Sequence, residues 1–569
     1  MAKKTIRSCS VAQAYLELLS DRGIDFLFAN AGTDFAPIIE AYCKGEQTGS
    51  RMPTPVLAPH ENIAIAMAIG YYLVTGRMQA VMVHVNVGTA NAICGLMNAW
   101  RGNIPVLLTA GRTPYTESGL IGSRTGEIHW PQEMRDQRAI VREMVKWDYE
   151  LPNAEVLEAM VDRAINICLT EPRGPAYITL PRETLATELD TFEYDSPSVR
   201  QVPSVSFPDP SVLELAADLI AKAKRPLIIT SAIGRTEDEM LALADFAEFA
   251  AIPVVQRKPR YVALPSNHSM HFGYRPEDYF DECDLILVME CNVPWLPLRE
   301  SPGEAVPVLH FGADPIFSDY PMRGFKTDLA LTGEIKGTLK ALRQVVSNKL
   351  NAEIVAERRG YAQDVQSQRA KRRATMLEHA KSTRPIHPVW ISHCINQIAD
   401  ENTIIVRESP IVLDQLEMEM SGSVVAAGAA GALGWGLGTA LGVKKAAPEK
   451  LVICTVGDGA YMFGNPVPAH YVASAEGLPI LTIIFNNEMW GAVKRTTREV
   501  YPDGFASRTA KPPLTVFETG TFYEKTVEIV GGYGERVEDP AQLLGALQRA
   551  VAEVKNGRQA LLNVICSGP

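Results

Sequence analysis

The sequence predicts an α/β protein made of three doubly wound parallel-sheet domains. Apolar runs of strand length alternate with amphipathic, helix-like segments along the whole chain, the pattern of parallel strands covered by helices. The 569 residues are several times what one core encloses, at roughly 100 to 200 residues per domain. Two breaks in the alternation divide the chain. The first domain, 1–188, carries strand-like runs at 24–29 (IDFLFA), 80–85 (AVMVHV), 104–109 (IPVLLT) and 175–180 (PAYITL). Residues 189–210 are rich in Pro, Ser and acidic side chains without periodicity, and read as a linker. The second domain, 211–372, opens on Pro226-Leu-Ile-Ile-Thr and continues through runs at 283–290 and 306–315. It ends in RRGYAQDVQSQRAKRR, 358–373, expected to be a solvated helix face. The third, 373–569, has strands expected at 403–407, 451–456, 480–485 and 560–565. No short-period repeat is visible.

Charge and cysteine usage narrow the function classes. With 66 Asp+Glu against 55 Lys+Arg the net charge is −11, and no long basic run marks a nucleic-acid or membrane-surface partner. The nine cysteines are scattered, odd in number and never spaced C-x-x-C. That usage fits reduced thiols in a cytoplasm better than a disulfide framework or a cysteine zinc site. The N-terminal MAKKTIRSCSVAQAYLELL turns amphipathic where a signal peptide would be continuously apolar, so a cytoplasmic protein is expected. Val424–Val443 has the length of a membrane span and no charge, yet six of its twenty residues are glycine. So little side-chain volume suits close backbone approach inside a protein better than a lipid-facing helix.

The most informative segment is TVGDGAYMFGNPVPAHYVASAEGLPILTIIFNNEMWGAV, 455–493. One buried strand ends in Gly457-Asp458-Gly459, a helix follows, and a second strand ends in Asn486-Asn487. Both strand ends fall on the carboxyl edge of a parallel sheet, where open α/β sheets bind ligands. Glycines permit a tight turn and a close approach of phosphate to backbone N–H groups. A carboxylate and an amide oxygen are hard donors suited to Mg²⁺ on a polyphosphate. Gly-Asp-Gly alone is no more than an ordinary strand–turn–helix; its pairing with Asn-Asn, 26 residues further on (460–485 between), points to diphosphate plus magnesium.

These residues resemble the signature of the thiamine-diphosphate (ThDP)-dependent enzymes of the pyruvate decarboxylase, benzoylformate decarboxylase and acetolactate synthase superfamily. The resemblance covers essentially the whole chain and implies a pyrimidine-binding, a central and a diphosphate-binding domain, in that order. It implies that Asp458, the Asn487 side chain and the Met489 carbonyl bind Mg²⁺, that backbone around Gly457, Gly459, Ala460, Trp490 and Gly491 holds the diphosphate, and that Asn486 is structural. In VLAPHENIAIAMAIGYYLVTG, 56–76, Glu61 stands at a helix start. By itself it would merely complement the helix dipole. In the family this glutamate shares a proton with N1′ of the aminopyrimidine, which makes the 4′-nitrogen basic. In the glycine-rich stretch, Leu433 matches the bulky residue that bends the cofactor and the Gly431 carbonyl the acceptor for its 4′-amino group. No Gly-x-Gly-x-x-Gly dinucleotide fingerprint is present.

The reaction is less sharply marked. His84, followed by Gly88-Thr-Ala-Asn-Ala and Asn98-Ala-Trp, is similar to the benzoylformate decarboxylase pattern, in which a histidine at this strand end donates a proton. A packing role is the alternative. Thr33, in Phe28-Ala-Asn-Ala-Gly-Thr, keeps the hydroxyl of the loop that holds the substrate carboxylate in that family, or simply forms a turn. Departures stand beside these matches: Cys291–Arg299 lacks the family's second histidine, and Thr496 replaces an aromatic residue. HWPQEMRDQ, 129–137, resembles acetolactate-synthase-like proteins instead. FAD is possible but disfavoured: Ser231–Gly234 lies where some relatives contact it, without a convincing motif.

The expectation is therefore a ThDP- and Mg²⁺-dependent lyase that cleaves a C–C bond of a 2-oxo acid, a decarboxylase with carboligase capability. Acetolactate-synthase-type transfer, or lysis of a 2-hydroxyketone or 2-hydroxyacyl thioester, is the enzymatic alternative; a catalytically silent ThDP-binding subunit is the non-enzymatic one. The family organisation implies a homodimer as the minimal active unit, with Glu61 of one subunit facing Asp458 of the other, paired into a homotetramer.

Overall fold

The computed structural model describes residues 2–517 and 520–568. In the first domain β1 (Ala2–Ser10) precedes β2 (Phe26–Ala29), β3 (Thr54–Leu57), β4 (Ala80–Val83), β5 (Leu107–Arg112), β6 (Trp147–Glu150), β7 (Ala176–Pro181) and β8 (Glu188–Ser196). Six of these form a parallel sheet in the order β3-β2-β4-β5-β7-β6. The central sheet is β10-β9-β11-β12-β13, from β9 (Pro226–Thr230), β10 (Val254–Gln256), β11 (Leu285–Met289), β12 (Val308–Gly312) and β13 (Leu329–Thr332). The third domain contains β14 (Thr403–Glu408), β15 (Val424–Val425), β16 (Leu451–Gly457), β17 (Leu481–Asn486), β18 (Tyr533–Val537) and β19 (Ala560–Ile565), ordered β15-β14-β16-β17-β19-β18. Counted within each domain, the first and third sheets thus have the same strand order. All three are α/β, as the alternation predicted, because strands buried on both faces read as continuous apolar runs.

Several elements differ from the expectations. The segment expected as a linker, 189–210, opens on β8, which pairs antiparallel with β1 along Ala2–Ser10. Both are polar on their outer face and carry no unbroken apolar run, so neither announced itself. The short strands β3, β6, β10, β13, β15 and β18 were also not legible as buried runs; β3, for example, exposes Thr54, Pro55 and Leu57. The charged segment 358–373 is helical, inside one 29-residue helix, Ala352–Ala380, that runs across the expected 372/373 boundary. Its solvated reading fails at Arg358, which is 1% exposed. The Arg358 guanidinium donates to the carbonyls of Ala250 (2.7 Å), Ile220 (2.5 Å) and Ala223 (2.6 Å). It therefore satisfies the carbonyl ends of helices Glu237–Ala250 and Pro210–Lys222, where a cation is favoured.

What positions the site is the union of the first and third domains. The helix Glu61–Thr75 is buried on every face from Glu61 to Leu73, which accounts for its all-round apolar sequence. It packs on the helix Gly436–Ala446 within the same chain, and their side chains share one core that includes Phe28, Ile63, Met67, Leu441 and Tyr461. A Cβ on Gly70 would strike the Thr439 carbonyl, one on Gly442 the Met67 carbonyl, and one on Gly438 the Ala66 Cβ at 2.6 Å. The uncharged stretch Val424–Val443 thus holds a two-residue strand, an irregular turn and most of this helix. Among the described residues no helix is long and apolar enough to cross a membrane.

Candidate functional site

In the first sheet the strand order reverses between β2 and β4, with β3 added on one side and β4 on the other, the topological switch where an open α/β sheet leaves a crevice. Asn30, Thr33 and Asp34 follow β2, His84 follows β4, and Glu61 starts the helix after β3. Glu61 is 4% exposed, with Asn30 Nδ2 donating to one carboxylate oxygen (2.9 Å) and Asn91 Nδ2 to the other (3.1 Å). Two neutral amides hold the carboxyl group in place without neutralising it. Gly88 lies against the oxygen that Asn30 holds, where a Cβ would come within 3.1 Å.

His84 closes the crevice. Its Nδ1 is 2.5 Å from Asp34 Oδ1, and its Nε2 is 3.1 Å from the Gln132 side-chain amide. The Asp34 carboxylate is buried and also accepts from the Val85 N–H at 3.2 Å. Its hydrogen bond, together with the Asp34 and Glu61 charges, raises the His84 pKa above the ordinary histidine value against the lowering effect of burial. Two glycines make room: a Cβ on Gly32 would enter the His84 ring and one on Gly111 the Asp34 carboxylate. Thr33 opens a single 3₁₀ turn, is exposed, and accepts from Arg182 through its carbonyl at 3.3 Å. Among the described residues its hydroxyl has no partner.

The third domain repeats the arrangement at β14, β16 and β17. Asp458, at the end of β16, begins a helix and is 3% exposed. Burial pushes its carboxyl up to about 6, opposed by backbone N–H groups of Gly459, Glu488 and Met489. Its Oδ2 is buried without a hydrogen-bond partner. Beside it, Asn487 Oδ1 accepts from Met489 N (3.1 Å) and the Met489 carbonyl from Gly491 N (2.9 Å), an inverse γ-turn about Trp490. The Trp490 ring lies over Gly459, where a Cβ would meet it, and no atom lies within 4 Å of a Cβ on Gly457. Asn486 faces inward: it accepts from Glu488 N at 3.0 Å and donates to Asn563 at 3.0 Å, which agrees with a structural role.

Between the two halves runs the turn Gly428–Trp435. Asn98, buried in the first domain, donates to the Ala432 carbonyl (2.8 Å) and accepts from Ala430 N (3.2 Å). From the third domain, the Glu408 carboxylate receives the N–H groups of Gly434 and Gly436, each at 2.6 Å, and burial pushes it up to about 7. Gly431 is exposed with φ +74° and open space at its Cβ, while Leu433 packs against the shared core. His60, preceding Glu61, meets Asn465 of the third domain at 2.9 Å. Glu61 and the Gly431–Leu433 turn therefore stand at the starts of two helices packed together within a single chain.

Residues 9–140 match the N-terminal TPP-binding domain of thiamine pyrophosphate enzymes, 213–342 the central domain and 409–564 the C-terminal TPP-binding domain. The chain is a member of the thiamine pyrophosphate enzyme family. It is 26% identical to benzoylformate decarboxylase of Pseudomonas aeruginosa, over 86% of this chain and 87% of that protein. It is 24% identical to the acetolactate synthase large subunit of Haemophilus influenzae, over 97% and 93%. A solved structure of the ThDP-dependent 4-hydroxybenzoylformate decarboxylase of Rhodococcus jostii shares the fold, with TM-score 0.77, 21% identity and coverage of 99% and 100%.

As in the family's domain plan, ThDP-binding domains flank a central one. The residues that sequence reading missed are the supports: Asn30, Asn91, Asp34, Gln132 and Glu408. Each is an ordinary polar residue in a loop, in a short helix or at a strand end, and only the packing of distant segments gives it a partner.

Proposed function

We propose that this thiamine pyrophosphate enzyme uses ThDP and Mg²⁺ to cleave the C–C bond between the carbonyl and carboxylate carbons of a 2-oxo acid. The products are CO₂ and, after protonation, an aldehyde. The observation that carries this is the crevice at β2 and β4, where buried Glu61, pinned by two asparagines, lies near His84, whose pKa the Asp34 hydrogen bond raises. ThDP, when bound, supplies a carbon nucleophile and an electron sink for such a cleavage.

The chain's own residues fit that cofactor. The unpartnered Asp458 Oδ2, the Asn487 amide oxygen and the Met489 carbonyl are hard donors for Mg²⁺, each with a lone pair to spare. Backbone at Gly457, Gly459, Ala460, Trp490 and Gly491 faces the same strand ends and would hold the diphosphate. Gly431, with its free Cα face, and Leu433 would meet the middle of the molecule. Glu61 would hold a proton at the pyrimidine, His84 would deliver one to product, and the Thr33 hydroxyl would hold the substrate carboxylate. The central-domain crevice mixes Glu239, Glu290, Asp314 and Glu334 with Arg101, Arg235 and Arg260, and Arg235 is already paired with Glu171 (3.0 Å) and Glu239 (3.2 Å), so flavin is left out of the proposed cofactors.

Gln132 supports a second outcome at the same site. Its amide occupies His84 Nε2, so an acceptor carbonyl can compete with the proton, and carboligation of the acetolactate-synthase type follows. A homodimer, paired into a tetramer, is inferred as the working unit; the exposed Met462, Phe463, Val467 and Tyr471 next to the Asp458 helix offer it an apolar surface. The deciding experiment incubates the ThDP- and Mg²⁺-loaded protein with aliphatic and aromatic 2-oxo acids, with and without an acceptor aldehyde. CO₂ release with aldehyde or hydroxyketone formation is expected for at least one acid, and Glu61→Ala should lower it more than about 10³-fold while retaining cofactor. Turnover that survives in Glu61→Ala would remove Glu61 from the chemistry.

A further inference from the structure

A cluster of cations lies beside the diphosphate side of the site, in a protein of net charge −11. Lys258 follows the carboxyl end of β10 and is exposed, with φ +42° in the left-handed region that a lysine seldom adopts. Arg407 is at the carboxyl end of β14, the strand next to β16, which Asp458 follows, and its guanidinium donates to the Pro259 carbonyl at 2.8 Å. That bond sets Arg407 next to Lys258. Arg495 is exposed on the helix Gly491–Val500, which starts directly after Asn487 and Met489. Four residues on, Glu499 pairs with Arg299 of the central domain at 2.6 Å, so the helix face shared by i and i+4 positions turns toward the same loops.

Two further arginines in the group have acid partners: Arg257 pairs with Glu277 at 2.8 Å and Arg299 with Glu499. Lys258, Arg407 and Arg495 have none among the described residues, and Arg407 Nε is buried without a hydrogen-bond partner. Lys258 is held below the ordinary lysine value by burial first and then by the Arg257, Arg495, Arg407 and Arg299 charges. Like charges are expensive to gather; Arg407 is engaged by the Pro259 carbonyl, whereas the Lys258 and Arg495 side chains have no hydrogen-bond or acid partner among the described residues.

We propose that Lys258, Arg407 and Arg495 recognise a second anionic group on the substrate, a carboxylate, sulfonate or phosphonate at the end opposite the 2-oxo acid. This rests on the 2-oxo acid reading above and narrows it: the substrate is at least dianionic, and neutral aliphatic or aromatic 2-oxo acids are poor competitors. The clustered field would also steer such substrates to the crevice, in a salt-dependent way.

The test uses holoprotein saturated with ThDP and Mg²⁺. Chain-matched pairs are compared: 2-oxopentanoate against 2-oxoglutarate, and 2-oxobutanoate against sulfopyruvate and phosphonopyruvate, the last two separating the anion types. Unreactive glutarate is titrated calorimetrically in parallel. At least one anionic acid should exceed its neutral partner tenfold or more in kcat/KM, an advantage that shrinks at 0.5 M salt, and glutarate should bind. Lys258→Glu combined with Arg495→Glu should invert the preference and abolish glutarate binding, with an unaltered melting temperature showing that the fold is intact. Equal use of neutral and anionic acids by the wild type overturns the proposal, whatever the variant does. So does a variant whose KM for ThDP rises while its acid preference stays, because the cations would then serve the diphosphate. If no 2-oxo acid reacts but glutarate still binds through Lys258, the reaction class falls and the anion site stands.

Discussion

At the scale of single residues, the His84–Asp34 contact is expected to set the pH behaviour of the proposed reaction. The groups facing His84 are Asp34, Glu61 and, more remotely, His129, whose own pKa is lowered by burial and by Arg182, Arg124 and His84. Because the folded-state pKa of His84 is raised, its contribution to stability is complete below the ordinary value of 6.5 and is lost as pH rises through the folded value. Removing the largest cause, in Asp34→Asn, should lower the His84 pKa and move the alkaline limb of the rate profile to lower pH. Histidine ring NMR titration with the pH–rate profile checks this; an unmoved limb would show that His84 does not carry the limiting proton. Sequence reading found His84 from its neighbours but not Asp34. An aspartate after a turn threonine is common, and only the fold places it under the ring, in space that Gly32 and Gly111 leave open.

At the scale of elements, the two helices that join the first and third domains depend on glycine. Gly442 sits against the Met67 backbone carbonyl, which cannot move aside without breaking its own helix. Gly442→Val should therefore destabilise the protein by about 3 kcal/mol, in the upper range of overpacking costs. Its signature should be a lower denaturant midpoint together with weakened ThDP binding, since the same packing carries Glu61 and the Gly431–Leu433 turn. Gly431→Ala, with open space at its Cβ, should cost only the strain of a left-handed alanine, about 1 kcal/mol. The glycine-rich segment was legible as a place of close backbone approach from its composition. Which backbone it approaches was not, because Met67 and Thr439 are hundreds of residues apart in sequence and adjacent only after folding.

At the scale of the whole molecule, the proposed site draws on both the first and third domains, so ligand binding should couple to their union. ThDP with Mg²⁺ at about 100 times its Kd should stabilise the native protein by about 2.7 kcal/mol, seen as a higher melting temperature that EDTA reverses. Asp458→Ala should lose most of that shift, whereas Glu61→Ala should keep most of it. No shift in the wild type at saturating cofactor would be incompatible with the proposed function. The sequence by itself determined the three α/β domains, the main buried strands, the Gly457-Asp458-Gly459 and Asn486-Asn487 strand ends, and Glu61 at a helix start. Those are local features, written as periodicity, glycine at tight turns and polar residues at strand ends. Tertiary structure alone decided the partners: two asparagines on Glu61, Asp34 beneath His84, Glu408 on the Gly434 turn, Arg358 buried in a charged helix, and unpaired cations around Lys258. Hydrogen bonds and charges act over a few ångströms in space and have no period along the chain, so they become visible only when distant segments are brought together.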